Sequence, residues 1–135
     1  MSIVVDTDVV SYLFRGSPLG ENYIPILENR QAVISFMTLA ELLLWPLRSQ
    51  WGEARERRLR NFLDERFEVC FPDGELCALW AEIRHRGYAK GHPVEPSDAW
   101  IAATALYFHA PLVTHNERQY RDIDRLEIIT TGGMS

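Results

Sequence analysis

The chain has 135 residues, 47% hydrophobic and 24% charged, with a formal net charge of −5. That is enough apolar material for one domain over 1–135, and the charge argues against bulk electrostatic attachment to nucleic acid. No apolar run is long enough for a membrane span, Met1-Ser2-Ile3-Val4-Val5-Asp6 lacks the basic region of a secretory signal, and Cys70 and Cys77 are too few for a disulfide framework. A cytoplasmic protein with no membrane partner is expected.

Ile3-Val4-Val5 is a short apolar run ending in Asp6-Thr7-Asp8, the pattern of a buried strand opening onto a helix. Val9 to Phe14 and Tyr23 to Leu27 read as short helices, broken around Gly16-Ser17-Pro18. Ala32 to Ser35 is a second strand, followed by a helix from Met37 to Arg48 that Pro46 should stop or bend. Gly52 to Arg66 is amphipathic, with Leu59, Phe62 and Leu63 on one side, and Glu68-Val69-Cys70 is a third strand. Glu75 to Tyr88 carries Leu76, Leu79, Trp80 and Ile83 at helical core spacing, and Lys90 to Glu95 reads as a loop. Pro96 then closes off what precedes it, Ser97 is placed to cap the next helix, and Asp98 stands in its first turn, where the helix dipole favours an anion. Apolar residues from Ala99 to Leu106 cover nearly the whole circumference, so this helix is buried. Pro111 to Thr114 and Glu127 to Ile129 complete the strands.

Strands alternating with helices imply an α/β fold with a mainly parallel sheet of four to five strands and helices on both faces. Sites on such sheets lie at the carboxyl ends of the strands. Asp6 follows the first strand, Glu41 lies in the first turns after the second, Asn116 follows the fourth, and Asp98 begins the helix returning to the fourth. Four polar side chains from scattered positions therefore converge on one rim. Three carboxylates together repel one another and raise a pKa unless a counter-ion is present. Oxygen donors without His or Cys select Mg²⁺ or Mn²⁺ over Zn²⁺, and such a site supports attack of an activated water on a phosphodiester.

Each residue also has a local structural use. Thr38-Leu39-Ala40-Glu41 fits a capping box, Asp98 a first-turn acid, Asp6 a turn former and Asn116 an Asx turn. His85, His92, His109 and His115 read as surface or satisfied histidines. Of the 14 basic residues only Lys90 is a lysine, and the arginines cluster at Arg55, Arg57, Arg58 and Arg60, at Arg84 and Arg86, and at Arg118 and Arg121. Guanidinium groups suit phosphate, but Glu53 to Arg66 equally makes a solvated helix face with internal ion pairs.

Four segments, Ile3-Val4-Val5-Asp6-Thr7-Asp8, Thr38-Leu39-Ala40-Glu41-Leu42, Asp98-Ala99-Trp100-Ile101-Ala102-Ala103-Thr104-Ala105 and Leu112-Val113-Thr114-His115-Asn116, resemble the motifs of PIN domains in order and spacing. The Asp98 helix is the most specific of them, and within the family the chain is similar to VapC-type toxin ribonucleases. The resemblance implies a three-layer α/β/α fold and a Mg²⁺- or Mn²⁺-dependent endoribonuclease acting on RNA. It also implies a homodimer, neutralised by a VapB-like antitoxin in a toxin–antitoxin assembly. By position, Asp6, Glu41 and Asp98 would be metal-binding acids and Asn116 the fourth catalytic position, with Thr7, Asp8 and Thr114 in support. Asn116 and Gln119 are neutral where the family often has Asp. One metal is therefore expected to bind firmly and any second to arrive with substrate, with Asp8 partly compensating.

Two other readings remain. Val4-Val5-Asp6-Thr7-Asp8 also resembles the first motif of haloacid-dehalogenase-like phosphatases, with Asp6 as nucleophile and Asp8 as acid, although only Lys90 could supply their basic residue. A non-catalytic PIN-like RNA- or protein-binding module would retain the fold without turnover. Leu42, Leu43, Leu44, Trp45 and Trp51 mark either a docking surface or core.

Overall fold

A computed structural model describes residues 1–132. Its centre is a five-stranded, all-parallel sheet of β1 (Ser2–Val5), β2 (Gln31–Ser35), β3 (Glu68–Cys70), β4 (Leu112–Val113) and β5 (Ile128–Ile129), in the order β3-β2-β1-β4-β5. The register aligns Val4 with Val33 and Leu112, and Val33 with Glu68. Alternation along each strand sorts side chains into two cores. Val4, Val33 and Leu112 face one side, and Ile3, Val5, Ile34 and Val113 face the other. Such strands, buried on both faces, carry apolar residues without interruption.

Helices α1 (Thr7–Arg15), α4 (Phe36–Ser49) and α5 (Glu53–Arg66) send Val9, Val10, Leu42, Leu59 and Leu63 into the core that contains Val5. Between α1 and β2 lie the single turns α2 (Pro18–Glu21) and α3 (Ile24–Leu27). On the opposite face, α6 (Gly74–Lys90) and α7 (Pro96–Tyr107) contribute Leu76, Ile83, Ala99, Ile101, Ala102 and Ala103. Three layers, α/β/α, result. Helix α1 ends on Gly16, whose φ of 64° suits glycine as an αL cap. A Cβ on Gly20 would come within 2.7 Å of the Tyr12 carbonyl oxygen, so only glycine lets the next turn fold back this closely.

Several local expectations change. Ser35, not Thr38, caps α4, its hydroxyl accepting from the Met37 amide at 3.0 Å. The helix therefore begins before the expected capping box, which does not form. Pro46 lies inside α4, and the helix runs on to Ser49 before Gln50 adopts the αL conformation. Helix α7 begins at Pro96 with Glu95 as its cap, so Ser97 is helical rather than a cap. Lys90 is the last residue of α6, not part of a loop. Trp45 and Trp51 join Phe14 and Phe62 in an aromatic group on the outer side of the α1 face, with Leu44 and Leu47 exposed beside it.

Candidate active site

The carboxyl edge of β1 places Asp6 beneath the rim. As the cap of α1 it accepts from the Thr7 amide at 2.7 Å through one oxygen and from the Thr114 hydroxyl at 2.7 Å through the other. Only 6% of Asp6 is exposed, and burial raises its pKa against the lowering effect of those bonds and of the nearby Tyr120 hydroxyl. Thr114 follows β4 directly, so two adjacent parallel strands deliver donor and acceptor to the same point.

Thr7 begins α1 and turns toward α4. Its hydroxyl donates to Glu41 Oε1 at 2.6 Å and lies 3.0 Å from that of the buried Thr38. Glu41 and Thr38 stand three residues apart on one face of α4. Burial raises the Glu41 pKa, the Thr7 bond lowers it, and the Asp6 charge raises it. Glu41 is thus held by another helix rather than by its own.

Asp8, in the first turn of α1, accepts from the Val9 amide at 2.7 Å and the His115 amide at 3.2 Å. Burial, then the Asp6 charge, pushes it up to about 7. Asp98 reaches the group from the first turn of α7 and accepts from the Tyr120 hydroxyl at 3.2 Å. Burial and the Asp6 charge push it up to about 6. The raised values share a cause. No Lys or Arg forms an ion pair with Asp6, Asp8, Glu41 or Asp98 among the described residues, and hydroxyl and amide donors hold all four.

Asn116 is exposed at the start of the single 3₁₀ turn Glu117–Gln119, and its amide donates to Thr114 Oγ1 at 3.0 Å. Gln119 is exposed too. His115 is a structural residue here. Its ring packs edge-on against Tyr12 and Tyr23, and Nδ1 lies 2.7 Å from the Tyr23 hydroxyl. Lys90 is engaged elsewhere, with Asp124 at 2.7 Å and the Asp122 carbonyl at 2.8 Å. A phosphatase built on Asp6 and Asp8 therefore has no lysine at hand.

Sequence reasoning missed Thr38 as a neighbour of Thr7, and it missed Tyr120 altogether. The signal for Tyr120 was a lone aromatic in the polar run Glu117-Arg118-Gln119-Tyr120-Arg121. Tyr120 is fully buried, and burial with the charges of Asp6 and Asp98 drives its pKa up, so the phenol stays a donor.

Donor chemistry here is that of a hard-cation site: four carboxylates and, among the described residues, no thiolate and no cationic side chain paired with them. Among the described residues, however, no three such groups stand close enough as arranged to enclose one ion.

The PIN domain family model matches residues 3–126. The chain belongs to the PIN domain family. It is 32% identical over 129 residues to Ribonuclease VapC1 of Haemophilus influenzae (strain R2866), covering 94% of this chain and 96% of that relative. It is also 34% identical over 98 residues to Ribonuclease VapC4 of Mycobacterium tuberculosis, covering 72% and 75%. Among solved structures, VapBC2 from Rickettsia felis, bound to a DNA fragment from their promoter, aligns with a TM-score of 0.86 at 26% identity, over 97% of this chain and 99% of that one. The PIN architecture explains why residues so far apart in sequence meet: each follows a strand, or begins a helix, on the same sheet edge.

Proposed function

We propose that this PIN-domain protein is a VapC-type toxin, an endoribonuclease that hydrolyses RNA phosphodiester bonds with a divalent cation, Mg²⁺ or Mn²⁺, and is held in check by a VapB-like antitoxin. The observation that carries this reading is the meeting of Asp6, Asp8, Glu41 and Asp98 without a cationic partner, in a chain similar over nearly its full length to named VapC ribonucleases. The VapBC assembly of Rickettsia felis supports the antitoxin.

Asp6, Glu41 and Asp98 would hold the cation, which when bound supplies charge neutralisation and an activated water. Asp98 Oδ2 and Glu41 Oε2 have no protein donor, and no buried side-chain polar atom of the described residues is left unpartnered, so both oxygens reach solvent. Thr7 and Thr114 orient the acids through their hydroxyls, and Thr38 lies against the Thr7 hydroxyl. Asn116, exposed and with its backbone amide held by Thr114, has its side-chain amide to offer a phosphate oxygen and adds no charge. One firmly bound ion fits this balance, with Asp8 a further acid beside Asp6.

The test is incubation of partner-free protein with total cellular RNA in Mg²⁺, Mn²⁺ or EDTA, beside Asp98→Asn. Discrete fragments that require metal and vanish in the variant are expected. Metal binding with no cleavage of any RNA would favour a non-catalytic module instead.

A further inference from the structure

Tyr120 lies beyond the motifs that mark the site, yet its side chain is completely buried and its hydroxyl ends against Asp98 Oδ1 at 3.2 Å. Its backbone closes the 3₁₀ turn, the Tyr120 amide bonding to the Glu117 carbonyl at 3.0 Å, and the ring packs in the same core as Ala99, Ala102 and Ala103 of α7. Ring and hydroxyl therefore serve different ends. The ring belongs to the core behind α7. The hydroxyl crosses from that core to an acid of the rim.

Every other acid at the rim is held by at least one backbone amide or by a threonine close in sequence or on an adjoining strand or helix. Asp98 has neither. In the first turn of α7 it caps nothing, because the helix is capped at Glu95 without a side-chain bond. Tyr120 is the one side chain that bonds it among the described residues. With Oδ1 tethered, Oδ2 is the oxygen left to face solvent and a ligand. Without the tether the Asp98 side chain would be free to turn away from Asp6, the charge that repels it.

We propose that Tyr120 is a positioning residue: its buried hydroxyl fixes the Asp98 carboxylate so that the free oxygen is presented, with Asp6, to a divalent cation. This rests on the metal-dependent reading above. Loss of an outer hydrogen bond to a ligand carboxylate lowers metal affinity about 10- to 100-fold, even though the ligand itself is intact.

The experiment uses the full chain stripped of metal, titrated calorimetrically with Mn²⁺ as wild type, Tyr120→Phe, Asp98→Asn, the double variant and Tyr107→Phe. Tyr107 is the control, since its hydroxyl bonds Asp73 outside the site. Tyr120→Phe is expected to bind Mn²⁺ about tenfold more weakly, and the Mn²⁺ concentration for half-maximal cleavage of total RNA should rise by the same factor. Excess Mn²⁺ should then restore cleavage by Tyr120→Phe but not by Asp98→Asn. The double variant should bind no more weakly than Asp98→Asn, and Tyr107→Phe should match wild type. Unchanged Mn²⁺ affinity in Tyr120→Phe, with Asp98→Asn impaired, overturns the role of Tyr120 and leaves the metal site standing. Unchanged affinity in Asp98→Asn overturns both. Should Tyr120→Phe fail to fold, ring-¹³C tyrosine spectra of the wild type decide the matter. The Tyr120 signal must shift on saturation with Mg²⁺, and a fixed signal overturns the proposal.

Discussion

Two groups of acids in this molecule show opposite electrostatics. On the surface, Asp124 meets Lys90 at 2.7 Å and Arg86 at 3.1 Å, while Glu82 meets Arg86 and Arg125. The Lys90 bond and charge hold the Asp124 carboxyl below its usual range. At the rim, burial and mutual repulsion raise Asp6, Asp8, Glu41 and Asp98, and only neutral donors hold them. The surface acids are already neutralised in solvent, where pairs contribute little. The rim acids crowd partly buried carboxyl groups together with no cationic side chain paired to them among the described residues, at a cost in stability that a bound cation would recover. Residue type is the same; burial and partners decide whether an acid is paired with a cation at a helix end or is held by neutral donors with its pKa raised.

The contrast can be broken in four ways, beginning with the largest effect. Asp98→Asn should lower RNA cleavage by more than about a hundredfold, beyond the loss expected for an outer-shell partner. Asp124→Asn should leave the rate of cleavage unchanged; equal losses in the two variants would erase the distinction. Next, Thr114→Val deletes the hydroxyl donor to a buried carboxylate, which should cost about 2 kcal/mol in denaturant unfolding at neutral pH. The valine is of similar shape but also loses the bond from the Asn116 amide, so a change near zero would show that the Thr114 hydroxyl does not hold Asp6 in place.

Third, the metal-free protein should lose stability as pH rises through the range of the raised acids. Asp8 and Asp98 have folded values of about 7 and about 6 against an ordinary aspartate value of 3.8, so the folded state holds their protons more tightly than the unfolded chain. Their favourable contribution is complete below the unfolded value and is lost as pH climbs through 6 and 7. Melting curves should show this loss, Asp8→Asn should flatten it, and saturating Mn²⁺ should reverse it at pH 7.5. A melting temperature unaffected by Asp8→Asn at both ends of that range would contradict the assignment. Last, Arg86→Ala should move the melting temperature by no more than about 2 °C, because both of its ion pairs are exposed. A larger drop would show that the surface group is structural.

Much of this was legible in the sequence because parallel α/β topology is a strong constraint. Once Ile3-Val4-Val5, Ala32 to Ser35 and Pro111 to Thr114 were seen as strands, the rim position of Asp6, Glu41 and Asp98 followed from chain direction. Cap assignment was less legible. Thr38 and Glu41 have the spacing of a capping box, and Ser97 precedes an apolar helix, but Ser35 and Pro96 start those helices earlier. Capping signals are local and overlap, so the helix takes whichever start lets its apolar face reach the sheet.

By itself, then, the sequence determined the alternation of strands and helices, the two buried faces, the acidic identity of the rim and membership of a family, because these depend on periodicity and on the order of residues along the chain. Tertiary structure decided who holds each acid: Thr7 reaching from α1 to Glu41, Thr114 from β4 to Asp6, and Tyr120 from beyond β4 to Asp98. Those partners are separated by 34, 108 and 22 residues, and no local pattern encodes a hydrogen bond made across such distances. It exists only once the sheet brings the segments together.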